Sequence, residues 1–146
     1  MDILAEYVLL FLLAATPFVE IMVVIPLGIG MGLGPLPVAV VAFAGNALPI
    51  WGIIAGWRWW LARRGSPRQH WGDRAQHVWE RYGLVGLALS APVVTGVHLA
   101  TVMALMLKAG RGRTAAWMAV GLVAWTVPTT LVSVWGIAGL KAWWGA

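Results

Sequence analysis

The chain has 146 residues, 61% hydrophobic and only 10% charged, with a net charge of +5 and no cysteine. Such a composition excludes a water-soluble globule and predicts an integral membrane protein, while the lack of cysteine excludes disulfides, thiol catalysis and thiolate metal sites. The cations gather near the ends of apolar segments, as in the loops of membrane proteins, which argues against a nucleic-acid partner.

The chain opens on Met1-Asp2-Ile3-Leu4-Ala5-Glu6, which is acidic and carries neither the basic leader nor the small-residue cleavage site of a secretory signal. The first apolar segment is therefore expected to stay in the mature protein. From Tyr7 to Trp57 the sequence is apolar and uncharged except at Glu20. Holding a charge at membrane depth costs about 3 kcal/mol on insertion scales, so an intramembrane acid defaults to a functional hypothesis. The same stretch holds Pro17 and Pro26, with glycines at 28, 30, 32 and 34. An unbroken spanning helix is not written this way. A helical hairpin broken at Pro17 and Pro26 is predicted, followed by one true span from Pro37 to Trp57 with Asn46 inside it.

A polar, basic stretch from Leu61 to Tyr82 comes next. Between Arg68 and Tyr82, Trp71, Ala75, Val78, Trp79 and Tyr82 fall on one helical face and His70, Asp73, His77 and Glu80 on the other. This predicts a short amphipathic helix at the cytoplasmic interface. Its polar stripe has metal-ligand types at helical spacing, but a hydrated face with charge pairs is favoured, and no metal or cofactor is assigned. The second apolar block repeats the first in outline. Pro92 and Gly96 are expected to break a second hairpin, Lys108 to Arg113 form a short basic loop, and Thr114 to Leu140 form the second span. Pro17 three residues before Glu20 matches Pro92 three residues before Thr95, and Leu48-Pro49-Ile50 echoes Val127-Pro128-Thr129, which suggests an internal duplication.

Charge bias chooses between two topologies, because cytoplasmic loops collect Lys and Arg. If residues 7 to 33 and 84 to 107 spanned fully, the two basic loops would lie on opposite faces. If each returns to its own side as a re-entrant hairpin, both basic loops are cytoplasmic. The predicted fold is therefore an all-α integral membrane protein of two inverted repeats, each a re-entrant helical hairpin followed by a transmembrane helix, joined by an amphipathic cytoplasmic helix. Repeat 1 covers about 1–60, the linker about 61–82 and repeat 2 about 83–146, all in one transmembrane domain. A plain bundle of four spanning helices is the alternative.

Four elements are expected to meet at the centre: Glu20 with Thr16; Thr95, Gly96 and His98 with Thr101; Asn46; and Thr126, Pro128, Thr129 and Thr130, where proline frees a carbonyl that hydroxyls can answer. Proton or substrate binding is assigned to Glu20, His98, Asn46, Thr95, Thr16 and Thr101. Each has a structural alternative: Gly28 and Gly45 permit close helix packing, threonines satisfy their own backbone, Asn46 bonds across helices, and His98 bonds water. Glu20 stands apart, because even a structural role needs a partner, and His98 is the other titratable group at midmembrane. A carboxyl group in a dry cavity can take and release a proton, which is the chemistry of proton-coupled exchange. Broken hairpins add helix ends whose amides suit an anion and whose carbonyls suit a cation. No nucleophile motif accompanies His98, so no enzyme is expected.

Pro17-Phe18-Val19-Glu20, Ile25-Pro26-Leu27-Gly28 and Gly45-Asn46-Ala47-Leu48-Pro49 resemble the signature of the small multidrug export protein family, in which Glu-x-Arg-Gly-Ala-x-Pro-x-Gly precedes Gly-Asn-x-x-Pro. Arg81-Tyr82-Gly83-Leu84-Val85-Gly86-Leu87, Pro92, Thr95-Gly96, Arg111 and Arg113 resemble its second half. That family is regarded as a distant relative of the DedA membrane proteins, so the resemblance implies re-entrant hairpins and lipid-carrier or proton-coupled transport. Two positions depart from the pattern. The family arginine two residues after the glutamate is Met22, and an aromatic residue after the second Thr-Gly is His98, which is offered as the compensating base.

The sequence thus predicts a small secondary transporter, multi-pass in the bacterial or archaeal cytoplasmic (inner) membrane, with residues 61–82 cytoplasmic and coupling to protons or ions through Glu20. Its expected partners are membrane lipids, a small ion, lipid or amphiphilic substrate, and a second copy in a homodimer, since two short repeats enclose little volume. The alternatives are a protein that translocates a lipid or lipid carrier without ion coupling, and a structural subunit whose partner supplies a cation to Glu20.

Overall fold

The computed structural model describes residues 2–17, 19–65 and 73–144, and among these every regular element is an α-helix. In chain order they are α1 (Ile3–Ala14), α2 (Ile21–Gly30), α3 (Pro35–Arg64), α4 (Asp73–Val94), α5 (Val97–Met106) and α6 (Arg111–Trp144). Gly83, at φ 53° and ψ −151°, divides α4 into two helical pieces. With 30 and 34 residues, α3 and α6 are about 45 and 51 Å long at 1.5 Å per residue. Both are long and apolar enough to cross a bilayer. The 10-residue α2 and α5 reach only about 15 Å, half of the hydrocarbon thickness.

Local chemistry sets the breaks. Pro17 has no N–H and drives Thr16 out of the helical region, so α1 stops at Ala14. The Thr16 hydroxyl then donates to the Leu13 carbonyl at 2.6 Å. At the far end of α2, Gly32 takes φ 89°, and the amides of Gly32 and Leu33 bond back to the carbonyls of Ile29 and Gly28. This pair of bonds closes a helix around one left-handed residue. Pro35 then opens α3 at a position where a missing N–H costs nothing.

Part of the second half lines up with the first at one shift in numbering. α2 and α5 begin at Ile21 and Val97, and α3 and α6 at Pro35 and Arg111; both pairs are 76 residues apart. The left-handed Gly32 has its counterpart in Lys108 at φ 61°, again 76 residues on, with the same two closing bonds, Lys108 to Leu105 and Ala109 to Ala104. In this register Glu20 corresponds to Gly96, one residue beyond the Thr95 that the proline spacing suggests. Pro49 and Pro128 do not correspond, being 79 apart.

Each short pair packs on its own long helix, and also on the other half's: α2 lies against α6, and α5 against α3. α3 and α6 pack together between them. Two glycines at equal depth make the close contacts. A Cβ on Gly45 would lie 2.7 Å from the Phe11 carbonyl oxygen and 2.6 Å from the Ala14 methyl. Gly121, 76 residues later, backs onto the Ala88 carbonyl. That carbonyl lacks its helical partner because Pro92 carries no N–H. One residue along, the Trp125 indole donates to the Leu89 carbonyl at 2.6 Å. α6 thereby packs closely on α4 just before Pro92 and adds a hydrogen bond to its backbone.

Asn46, His98, Thr101, Thr114, Thr126 and Ser133 are buried, whereas Leu36, Val40, Trp51, Val123, Leu131 and Val132 are exposed. Large apolar side chains face outward along both long helices, which is consistent with a place in the membrane.

Several expectations are corrected in detail. Pro26 and Pro92 lie inside α2 and α4 rather than at the breaks, which fall at Pro17 and Gly96. The two long helices extend past both ends of the predicted spans, to Pro35–Arg64 and Arg111–Trp144. Residues 61–64, predicted as linker, therefore continue α3. His70 and Trp71 of the predicted amphipathic helix lie outside the described residues; the backbone is helical from Asp73, and Trp79 packs on the core.

Gly45→Ala is expected to destabilise the protein by about 1–3 kcal/mol through overpacking, although alanine is the better helix former. Trp125→Phe is expected to cost about 1 kcal/mol for its lost hydrogen bond. Thermal unfolding in detergent measures both, and unchanged midpoints would refute these contacts.

Candidate functional site

The α1–α2 break and the α4–α5 break touch each other through one side chain. Glu20 is the N-cap residue of α2, with extended backbone at φ −80° and ψ 163°, and its carbonyl accepts the amides of Val23 and Val24. Its side chain makes no bond to its own helix. Instead Oε1 accepts the backbone N–H of Val97, the first residue of α5, at 3.1 Å across 77 residues of sequence.

This geometry follows from the first turn of α5. A helix begins with amides that have no partner inside it, and a side chain at the N-cap normally supplies one. The N-cap of α5 is Gly96, which has no side chain to offer. Gly96 stands at φ 79°, a region that suits glycine. A Cβ there would lie 2.9 Å from Glu20 Oε1 and 3.8 Å from the Pro17 carbonyl oxygen. The bare glycine therefore leaves room for the acid of the other half, whose negative charge also meets the positive end of the α5 dipole. Glu20 Oε2 is buried and has no hydrogen-bond partner. It is the atom of this contact open to a proton or a cation.

His98 is the second residue of α5 and only 5% exposed. Neither ring nitrogen has a hydrogen-bond partner, so the expected pairing with Glu20 is not formed. The backbone amide at the helix end takes the carboxylate in its place. His98 and Met22 occupy the same station, each the second residue of its short helix and 76 residues apart. The imidazole offered as a substitute for the family arginine thus lies at the matching position of the opposite half.

The remaining predicted residues divide by their bonds. Asn46 is fully buried on α3; its Nδ2 donates to the Ala42 carbonyl at 3.1 Å, and its Oδ1 has no partner. Thr101 is buried and donates to the Val97 carbonyl at 2.7 Å, one turn back on α5. Thr16 is exposed at the first break, and the Thr95 hydroxyl lies 3.4 Å from the Gly96 carbonyl at the second. Along α6, Thr126, Thr130 and Ser133 bond the carbonyls of Leu122, Thr126 and Thr129, so these hydroxyls do not answer the carbonyl that Pro128 frees. The structure brings together Pro17, Glu20, Gly96 and Val97; no hydrogen bond joins Asn46, Thr101 or His98 to Glu20. Among the described residues no three side chains form a cluster able to hold a metal ion.

A model of the family described as Putative small multi-drug export protein matches residues 20–127. The chain belongs to this family. The matched stretch opens at Glu20 and takes in Gly96 and Val97, so both sides of the contact lie within it. The family description points to a small export protein, which agrees with the helical elements of the described residues, two of them of membrane length. No curated protein and no solved structure matches the chain.

The Val97 amide was invisible to side-chain motifs, since any residue carries it. The signal that could have found it is Thr95-Gly96 ahead of an apolar helix with no capping side chain. Gly96→Ala is expected to destabilise the protein by about 1–2 kcal/mol from the left-handed backbone alone, and to shift the Glu20 carboxylate. Thermal unfolding of this variant beside Glu20→Ala checks the origin. Full additivity in the double variant would separate the two residues.

Proposed function

We propose that this export-family protein is a small secondary transporter of the cytoplasmic membrane, coupled to protons or ions through Glu20 and acting as a homodimer. The two helical triplets are inverted repeats, each a re-entrant hairpin followed by a spanning helix, with the breaks at Glu20 and Gly96 meeting near the midplane. Two findings support this arrangement: α2 and α5 reach only half the hydrocarbon depth, and α2 with α5, like the starts of α3 and α6, lie 76 residues apart. The cations Arg58, Arg63, Arg64, Lys108, Arg111 and Arg113 then share the cytoplasmic side.

The observation that carries the function is the divided state of the Glu20 carboxyl group. One oxygen is held by the first amide of α5, and the other is buried without a partner. In the resting state the carboxylate caps α5. Protonation at Oε2 weakens its hold on the Val97 amide and opens the helix end to an anionic group of the substrate. Loss of the proton restores the cap and expels that group. The exchange joins proton movement to substrate movement at one atom.

Glu20→Gln, which keeps size but removes the titration, is expected to lower gradient-driven flux in reconstituted vesicles at least tenfold while the protein stays folded. Undiminished flux would refute the coupling role. Flux that ignores the proton gradient and follows lipid type would assign lipid translocation instead. Single cysteines placed by Pro35→Cys and Gly110→Cys are expected to label from opposite faces, and labelling of both from one face would reject the inverted hairpins.

A further inference from the structure

The end of α3 carries an unfilled groove. It measures about 380 Å³, in the size range of ligand sites, and lies between α3 and α5 against Gly52, Gly56, Trp57, Trp60, Val102 and Met106. Its lining is almost wholly apolar. No atom lies within 4 Å of where a Cβ on Gly52 or Gly56 would stand, so the protein does not fill the hollow those glycines leave.

The rim of the groove is aromatic and basic. Trp57 and Trp60 stack with ring centroids 5.0 Å apart. Trp59, which also lines the groove, carries the Arg63 guanidinium 4.1 Å above its ring. Arg64 follows, Arg58 lies one turn back, and α3 contains no acid. Tryptophan with arginine at the end of an apolar helix is the pattern of the headgroup level. An occupant that matches both parts has an apolar tail and an anionic head.

We propose that the α3–α5 groove binds one anionic phospholipid, with an acyl chain against Gly52 and Gly56 and the phosphate at Arg63 and Arg64. The proposal rests on the membrane placement given above. The bound chain touches α5 at Val102 and Met106, toward the end opposite the Glu20 contact.

Native mass spectrometry of the purified protein, supplied with phosphatidylglycerol or phosphatidylcholine, tests the site. One phosphatidylglycerol per protomer is expected to be retained, with phosphatidylcholine held at least fivefold more weakly. Gly56→Leu, which places a side chain in the hollow where an added Cβ meets no neighbour, is expected to abolish retention. Arg63→Gln and Arg64→Gln are each expected to weaken the anionic lipid about fivefold; these exposed changes decide the matter if the leucine variant does not fold. Equal retention of both lipids, full retention in the leucine variant, or loss of a dimer in that variant would overturn the proposal, the last by making a second copy the occupant. Coupled flux is read separately, so a wild-type protein that retains no lipid while its flux still depends on Glu20 would overturn the groove alone.

Discussion

The contact between the Glu20 carboxylate and the Val97 amide is the constraint around which the two halves are arranged. A short helix that starts inside the protein brings unpaired amides with it, and each one left buried costs about 1–3 kcal/mol. Water at a surface would relieve α5 cheaply. Here relief comes from an acid delivered by the other half, held in place because Pro17 ends α1 and Glu20 itself starts α2. Gly96 completes the contact by having no Cβ to collide with Oε1. One interaction therefore fixes the approach of two helix breaks that lie far apart along the chain.

The backbone matches in part and the chemistry does not. At a shift of 76 residues the starts of α2 and α5 and of α3 and α6 agree, as do the closing bonds around Gly32 and Lys108, while the side chains at matching stations differ: Glu20 against Gly96, Met22 against His98, Gly32 against Lys108 and Asn46 against Leu122. Two acids could not share the space that one carboxylate fills beside Gly96. The similar scaffold thus concentrates a single titratable group at the contact of its breaks. Lys108 shows what the divergence costs, since a lysine accepts a left-handed backbone where the other half uses glycine, a penalty of about 1–2 kcal/mol.

Packing follows from the same economy of side chains. With apolar surfaces facing outward, association of these helices draws on close backbone approach and on hydrogen bonds rather than on burial of apolar area from water. Gly45 and Gly121 provide the approach, and Trp125 provides a hydrogen bond to the α4 backbone. α3 leaves this pattern at Gly52 and Gly56, where an added Cβ would meet no neighbouring helix.

Composition and local chemistry alone determined much of the protein: an all-helical chain with apolar blocks, breaks at Pro17 and Gly96, long helices on either side of a basic stretch, and Glu20 as the residue to watch. These were legible because charge placement, proline and glycine act within a few residues. Other features depended on tertiary structure. The register of the two halves is set by helix starts and not by proline spacing, so Pro49 and Pro128 misled. The partner of Glu20 is a backbone amide, a group every residue shares, whereas His98 drew notice by its side chain. Pro26 and Pro92 read as breaks, yet they lie within α2 and α4. Which acceptor a carboxylate finds, and which carbonyl a tryptophan answers, are settled by segments distant in sequence meeting in space, where the competition among donors takes place.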